Sequence, residues 1–492
     1  MEKNSMYDVC IIGAGATGAA AAYWLARKNV QVVLVDKEAD ASFGVSKANS
    51  GIVHGGFHYS VSKTLKGKLE LEGNRMFPAM AKELGFPYNQ CGIIVVAYSE
   101  DQLEEVRKLY NQGIENGVEG IEFCSKERMY ELEPKLCEGC LGGVFAPRGG
   151  VVEPYAYVFS LVEDAERNGV VFERNFEVVS AEYQDNAWKM KSASGKELTA
   201  KYVINATGLF SDKVSAIFGG EEFEILARKG EEYLLDRLSP AYPTRVVFPV
   251  PTHTSKGVLV IPTAGGTTMV GPTAHIVPDK EDTDTTAPDR EEIFELAQYM
   301  VKGVSKRDLI AAFAGLRPAL AGGDFMIKIS DKAPAFIQAS GIQSPGLTAS
   351  PAVGKLLVSL LKDAGLKMED KAEIAPVPPK RRLREMSAEE VDELYQKDPA
   401  WTNIICRCEK ISEAEIVDAV RHGHVTLDAV KLHTRAGMGR CQGGFCSAKI
   451  WAIISRETGI PIEELTKRGK KSNFFNGSVA NVAFKGDSYE TK

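Results

Sequence analysis

Apolar and polar positions at the start of the chain follow a strand, a turn, a helix and a second strand. Tyr7–Ile12 predicts the first strand, residues 13–18 the turn, 19–28 the helix and 31–35 the second strand. Val32, Val33, Leu34 and Val35 form the uninterrupted apolar run expected of a strand buried on both faces of a parallel sheet. From about residue 82 to 200, helical periodicity mixes with short strands, and residues 202–205 predict a further strand that runs into Ala-Thr-Gly. Residues 228–330 read as largely β, because EEYLL, GVLVIP and TTMVGP alternate with turn residues. Residues 335–354 return to strand, loop and helix. Segments of one α/β domain therefore bracket two insertions, which predicts a Rossmann-like domain interleaved with a β-rich domain.

The pattern changes after Lys371. AEIAPVPPKRRLRE is proline-rich and basic and reads as a linker over about 376–400. A compact helical region follows over 401–465, and then a tail, 466–492, rich in Lys, Gly, Ser and Asn. A chain of 492 residues is too long for one ordinary core, so two or three domains are expected. We place the first at 1–375, with Rossmann-like segments at about 1–80, 145–220 and 330–370 and β-rich segments at about 81–144 and 221–329.

Composition narrows the classes of function. A net charge of −7 gives no reason to expect a nucleic-acid partner. No stretch reaches 18 uninterrupted apolar residues, so no membrane span is expected. The apolar run 9–26 contains three spaced glycines and reads as strand, turn and helix instead of a signal peptide. A cytoplasmic location is expected, where nine cysteines need not pair.

Gly13-Ala14-Gly15-Ala16-Thr17-Gly18 is a G-x-G-x-x-G turn between a strand and a helix. Gly13 permits the tight turn, Gly15 lets backbone approach a pyrophosphate, Gly18 lets helix and strand pack closely, and the helix N-terminus favours phosphate charge. Asp36, at the end of the second strand, is placed to accept hydrogen bonds from a ribose. The motif predicts a dinucleotide but does not separate FAD from NAD.

Three further stretches, SKANSGIVHGGFHY (46–59), VINATGLFSD (203–212) and SPGLTASPAVG (344–354), resemble the D-amino-acid-oxidase-like flavoproteins. The resemblance spreads over most of 7–360 and implies FAD. It implies Asp36 on the adenosine ribose, Gly208 near a phosphate on the adenine side, and Gly346 and Ser350 near the ribityl chain and flavin ring. Ala16, Thr17, Lys37, Ser46, Asn49, Ser50, Gly51, Leu347 and Thr348 are implied as further cofactor contacts. The helix expected after Gly346 would direct its positive end at a reduced flavin.

Dehydrogenation of an alcohol or amine at a flavin requires an anchor for the substrate's anionic group and a base for its proton. Arg317, in FAGLRPAL, is the candidate anchor, and the same stretch resembles the family's substrate-binding arginine; a surface ion pair is the alternative. His54 and His58 are candidate bases beside the flavin segment, with a structural role as the alternative for each. Lys229, Glu232 and Tyr233, in ARKGEEYLL, match a segment that reaches the substrate pocket in relatives; solvated charges on a strand are the alternative.

Four cysteines lie near the C-terminus. Cys406 and Cys408 form C-x-C, and Cys441 and Cys446 form C-x4-C, with 32 residues between the pairs. Four thiolates suit zinc or an iron–sulfur cluster. C-x-C is tight for two ligands on one zinc, whereas a [2Fe–2S] cluster takes two cysteines on each iron. The spacing, and TRAGMGRCQGGFC, resemble bacterioferritin-associated-ferredoxin-like [2Fe–2S] domains. Gly437, Gly439, Gly443 and Gly444 would let backbone N–H groups approach the cluster sulfurs. Cys137 and Cys140 read as structural, or as a redox-sensitive pair.

The combined layout resembles the large subunits of anaerobic glycerol-3-phosphate dehydrogenases. The flavin part also resembles L-2-hydroxyglutarate dehydrogenases, and proline-type dehydrogenase subunits share the architecture. Two departures stand out: His58 replaces an arginine usual in the first group, and Leu259 a histidine usual in the second. These resemblances imply a small anionic substrate, most simply sn-glycerol 3-phosphate, and a second flavoprotein or electron-carrier subunit, with membrane association only through such a partner. The remaining alternative is an electron-transfer subunit without a substrate of its own.

Overall fold

The computed structural model describes residues 6–251 and 257–475. It divides into two compact units, Met1–Pro378 and Pro379–Lys492. In the first unit, strand β1 (Tyr7–Ile12) lies between β2 (Val32–Val35) and β3 (Glu197–Asn205), parallel to both. Every residue of β2 is buried, as its apolar run requires. Ile12 pairs with Val35 on one side and Asn205 on the other, so three strands end at one level. Val171–Glu173 extends the sheet beyond β2, and Phe336–Ser340 runs parallel to the end of β3.

Helix α1 (Ala16–Leu25) follows the glycine turn. It starts three residues earlier than its apolar periodicity suggests, because Gly15 already occupies the cap and Gly18 sits inside the first turn. Its alanines, Ala19 to Ala22, are all buried, so it is covered on every side. Helix α2 (Leu65–Leu84) carries a Thr64 cap whose side chain accepts from Gly67 N–H. Helix α3 (Gly346–Asp363) packs on both α1 and α2. The α1–α3 crossing is close enough that a Cβ on Gly354 would stand 2.6 Å from the Ala20 carbonyl oxygen.

The two insertions build one nine-stranded sheet. Ile93–Ala97, from the first, pairs in parallel with Val246–Pro249, from the second. Strands β4 (Leu226–Leu235) and β5 (Leu309–Ala319) form its longest antiparallel ladder, with Arg228 opposite Arg317 and Glu232 opposite Phe313. The span 228–330 supplies most strands of this sheet, yet fewer than half of its residues are in strands, and helix Ala287–Met300, capped by Thr286, interrupts them and covers one face through Ile293, Phe294, Ala297 and Met300.

The second unit takes in part of the expected linker. Ala388–Tyr395 is helical, started by a reciprocal Ser387–Glu390 capping box. A two-stranded ribbon, Ile404–Cys406 with Ile411–Ser412, leads into α4 (Glu413–Arg421), α5 (Leu427–Thr434) and α6 (Ser447–Thr458). Ile405, Ile416, Val420, Val430, Ile450, Trp451 and Ile454 form the core. The first part of the expected tail is tied to it, with the rings of Phe474 and Phe475 at 4.4 and 5.2 Å from Trp451. Residues 476–492 of that tail lie outside the described residues. Among the described residues no helix is long and apolar enough to cross a membrane.

The α1–α3 crossing gives a direct test. Gly354→Ala should destabilise the first unit by about 1–3 kcal/mol, because the new methyl group meets backbone instead of a movable side chain. Gly322→Ala, where a Cβ meets nothing within 4 Å, serves as the control and should leave the urea midpoint unchanged.

Candidate flavin, substrate and cluster sites

The nucleotide cradle forms where β1, β2 and β3 end. Gly13 has φ +105°, and a Cβ there would stand 2.5 Å from the Ala206 carbonyl oxygen. A Cβ on Gly18 would stand 1.8 Å from Gly13 O, so α1 can sit on the turn only with glycine at that position. Gly15 caps α1 without a side-chain hydrogen bond, which leaves the helix N-terminus built for an external anion. Ala16 N–H donates to Ser46 Oγ at 2.9 Å, and Thr17 follows in the same turn.

Asp36 is held by its neighbours: Oδ2 accepts from Ala14 N–H at 2.6 Å and Oδ1 from Glu38 N–H at 2.9 Å. Burial pushes its carboxyl up to about 6, and those two N–H groups oppose the rise. Lys37 Nζ lies 3.8 Å above the Phe210 ring. Asn49 Oδ1 accepts from Gly51 N–H at 2.8 Å, and Gly208 faces open space.

The other end of the cradle is the start of α3. Its cap, Pro345, offers no side-chain bond, so Gly346 and Leu347 open a second uncapped helix N-terminus. The side chains that follow are used within the fold. Thr348 Oγ1 accepts from His54 N–H at 2.9 Å and donates to Ile52 O at 3.2 Å. Ser350 Oγ bonds Tyr157 Oη at 2.9 Å and Leu347 O at 2.8 Å. Two helix starts whose N-cap residues offer no side-chain bond, an open glycine and a backbone-fixed acid fit a dinucleotide with a pyrophosphate at one end and a flavin ring at the other.

Strand pleating sorts the β-rich candidates. Residues 228, 230 and 232 of β4 share a face with 313, 315 and 317 of β5. Glu232 and Arg317 therefore point to one side, together with Arg228. Lys229 and Tyr233, expected beside them, point to the other. Lys229 is ion-paired with Asp282 at 2.9 Å, and Tyr233 Oη donates to Glu231 Oε2 at 2.7 Å within the core beneath the sheet. Arg228 is the member of the set that the sequence reading missed. Strand alternation, two periods back from Glu232, would have found it.

On the Arg317 face, Ser50 Oγ donates to Glu232 Oε1, while Glu232 Oε2 has no hydrogen-bond partner among the described residues. Burial pushes the Glu232 carboxyl up to about 7, against the pull of Ser50 and Arg317. Arg317 donates to Thr273 O at 3.1 Å. Its basicity is lowered by burial and by Arg228, and supported by Glu232.

His54, His58 and Glu70 converge beside this face, with one donor or acceptor atom from each within 4.8 Å of the others. Glu70, from α2, is fully buried and accepts from Gly56 N–H at 2.9 Å. It was not foreseen, although an acid flanked by Leu69 and Leu71 on a buried stripe was the available signal. His58 stacks on Phe57 at 4.2 Å, and the His54 ring stands 5.7 Å away with Nε2 3.4 Å from Ser344 Oγ. Tyr59 links the histidines to the arginines: burial and Glu70 push its hydroxyl up to about 12, and Arg228 and Arg317 oppose this.

In the second unit the four cysteines come together. Cys406 and Cys446 are almost fully buried, Cys408 is exposed, and Cys441 is half-buried with its sulfur 3.7 Å from that of Cys408. A hydrogen bond from Cys446 lowers Cys406 to about 6 despite burial, aided by the N–H groups of Gly437 and Glu409, while Cys446 moves up as it keeps the shared proton. For Cys441, burial raises the thiol, but N–H groups of Phe445 and Gly443 and a bond from Cys408 bring it below its usual value. A Cβ on Gly439 would stand 2.3 Å from Cys408 Cβ, so glycine lets the loops close. Four sulfurs ringed by backbone N–H groups fit a [2Fe–2S] cluster. Cys137 and Cys140 are separate from this set, with sulfurs directed at Gln298 O (3.3 Å) and Gly142 O (3.7 Å) and thiols raised by burial.

A dinucleotide cradle beside an arginine-bearing face, followed by a four-thiolate site, is the outline of a flavin-dependent oxidoreductase with an iron–sulfur centre. Comparisons agree with this outline. Residues 8–360 match the FAD dependent oxidoreductase family, and residues 404–456 match the BFD-like [2Fe-2S] binding domain. The chain belongs to the FAD dependent oxidoreductases, and its cofactors are FAD and a [2Fe–2S] cluster.

It is 38% identical over 478 residues to a glycerol 3-phosphate dehydrogenase of Caloramator mitchellensis, covering 96% of this chain and 98% of that one. It is 30% identical over 287 residues to the mitochondrial L-2-hydroxyglutarate dehydrogenase of Mus musculus, covering 55% and 61%. Among solved structures it resembles the FAD-bound, dithionite-reduced L-alpha-glycerophosphate oxidase of Mycoplasma pneumoniae, with a TM-score of 0.73 and 29% identity, over 77% of this chain and 100% of that one.

Two measurements check this geometry. Glu232 is held protonated to a higher pH in the folded protein than in the unfolded chain. Its contribution is thus present below about pH 4.5 and lost as pH rises through 7, a swing of about 3 kcal/mol. Glu232→Gln should flatten the fall in urea stability between those limits. Replacing any of Cys406, Cys408, Cys441 or Cys446 by Ser should remove the reduced-cluster EPR signal and leave flavin content at wild-type level; zinc without iron in the native protein would refute the cluster assignment.

Proposed function

We propose that the chain oxidises the secondary hydroxyl of sn-glycerol 3-phosphate, giving dihydroxyacetone phosphate, and passes the electrons to a partner protein. The observation that carries this reading is Arg228 directly opposite Arg317 on the pocket face of β4 and β5. Like charges facing each other across a strand pair repel, and a phosphate dianion between them turns that repulsion into binding. Similarity to a glycerol 3-phosphate dehydrogenase over nearly the whole chain supports phosphate over carboxylate.

When bound, FAD supplies the hydride acceptor and the [2Fe–2S] cluster a one-electron relay. The protein's own groups do the rest. Arg228 and Arg317 hold the phosphate and orient the glycerol carbons. His58 or His54, with Glu70 beside them, takes the hydroxyl proton. The buried Glu232–Ser50 pair closes the pocket toward the flavin segment. We assign the flavin and substrate sites to residues 1–375, the cluster to 401–465, and the protein to the cytoplasm, associating with a membrane only through its partner.

The test is anaerobic. Glycerol 3-phosphate should bleach the flavin and bring up the rhombic cluster signal, while L-2-hydroxyglutarate and L-proline should do neither. Arg317→Ala and Arg228→Ala should each raise KM for glycerol 3-phosphate by about 10- to 150-fold, the loss of one charged hydrogen-bonding partner. Turnover of glycerol, which has no phosphate, should not change. Bleaching by L-2-hydroxyglutarate in place of glycerol 3-phosphate would reject the assignment.

A further inference from the structure

The cluster site opens to solvent on one side. Cys406 and Cys446 lie almost fully buried, whereas Cys408 is exposed and Cys441 half-buried beside it. Phe445, whose backbone N–H faces the Cys441 sulfur, is 85% exposed. The ring projects from the cysteine loop and takes no part in the unit's core. An aromatic ring held out in this way beside a redox site suits the centre of a protein contact.

The exposed charges of the cysteine-bearing segments have one sign. Two segments carry the cysteines, residues 404–412 and 434–449. Their exposed charged residues are Arg407, Lys410, Arg440 and Lys449, all cationic. The acid in these segments, Glu409, is 2% exposed and held by Arg435 at 2.9 Å and Arg384 at 3.6 Å, so it adds no negative charge to the surface. This cationic face belongs to a chain whose net charge is −7. A local charge opposite to that of the whole molecule selects the direction from which a charged partner approaches.

We propose that this face docks an acidic redox protein, with Phe445 at the centre of the contact, Arg407, Lys410, Arg440 and Lys449 around it, and the Cys408–Cys441 side as the exit for electrons. The proposal rests on the reading that substrate electrons reach the second unit. The cluster that Cys406, Cys408, Cys441 and Cys446 would hold would supply one electron per encounter, which the carrier would gain, with no bond made or broken. The cations raise the encounter rate, and the ring excludes water over the exposed sulfurs.

The test uses the full-length holoprotein reduced with dithionite, so that it does not depend on the substrate. Loss of the cluster EPR signal is followed after mixing with ferricyanide, an anion, or hexaammineruthenium(III), a cation. Between about 20 and about 300 mM salt the ferricyanide rate should fall roughly tenfold and the ruthenium rate should rise. Arg407→Glu with Arg440→Glu should invert both slopes without altering flavin reduction by substrate. Should that pair lose the cluster, Lys410→Glu with Lys449→Glu gives the same reading from positions that do not adjoin a cysteine. Phe445→Ala should leave both inorganic rates unchanged and weaken the binding of an acidic flavodoxin, measured by calorimetry, at least fivefold.

Equal salt slopes for the two complexes, or slopes of the opposite sign, would overturn the proposal; so would flavodoxin binding that is indifferent to Phe445→Ala. A wild-type cluster that exchanges electrons with the probes as expected, yet is never reduced by substrate, would refute the proposed function and leave the docking face standing.

Discussion

The backbone of Gly315 comes so close to the Ala48 carbonyl that a Cβ would stand 2.2 Å from the oxygen. Strand β5 is thereby pressed against the Val45–Ala48 turn, part of the segment that carries Ser46, Asn49 and Ser50. Arg317 is two residues further along the same face, and Glu232, on the neighbouring strand, receives the Ser50 hydroxyl. The Arg317 face and the 45–50 segment meet because Gly315 on β5 has no side chain. Any larger residue would push the nine-stranded sheet away from the cradle and open the pocket to water.

The strand pairing sets two guanidinium groups on one face, with the buried Glu70 beside it. Arg228 and Arg317 face each other, and Glu232, the carboxyl that would offset them, is pushed up to about 7 by burial and is only partly ionised near neutrality. Tyr59 stays protonated, pushed up to about 12. A face with two guanidinium groups attracts an anion, and arginine holds its charge through burial where lysine would lose it. The lysine of this strand, Lys229, is turned away and neutralised by Asp282.

In the second unit the division is between inner and outer sulfurs. Cys406 and Cys446 belong to the hydrophobic core and are set by it, while Cys408 and Cys441 ride on the loops above. Backbone N–H groups from Gly437, Glu409, Gly443 and Phe445 stabilise the thiolates of Cys406 and Cys441.

Much of this was legible in the chain. The Gly13–Gly18 turn with its flanking strands, and the two cysteine pairs, are short-range patterns. Their chemistry depends on spacing that the backbone itself enforces, so the sequence alone determined the dinucleotide cradle and the four-thiolate site. The helix at 388–395 was also written there, as Ser387 and Glu390, but the proline and arginine around it spoke for a linker. What only the tertiary structure decided was which distant side chains share a space. Lys229, Glu232 and Tyr233 are neighbours in sequence, and pleating separates them; Arg228, Arg317, Tyr59 and Glu70 come from three elements and a loop, and packing unites them. The physical reason is that a strand sends alternate side chains to opposite faces, so the membership of a pocket is known only once the partner strand, and the face it covers, are fixed.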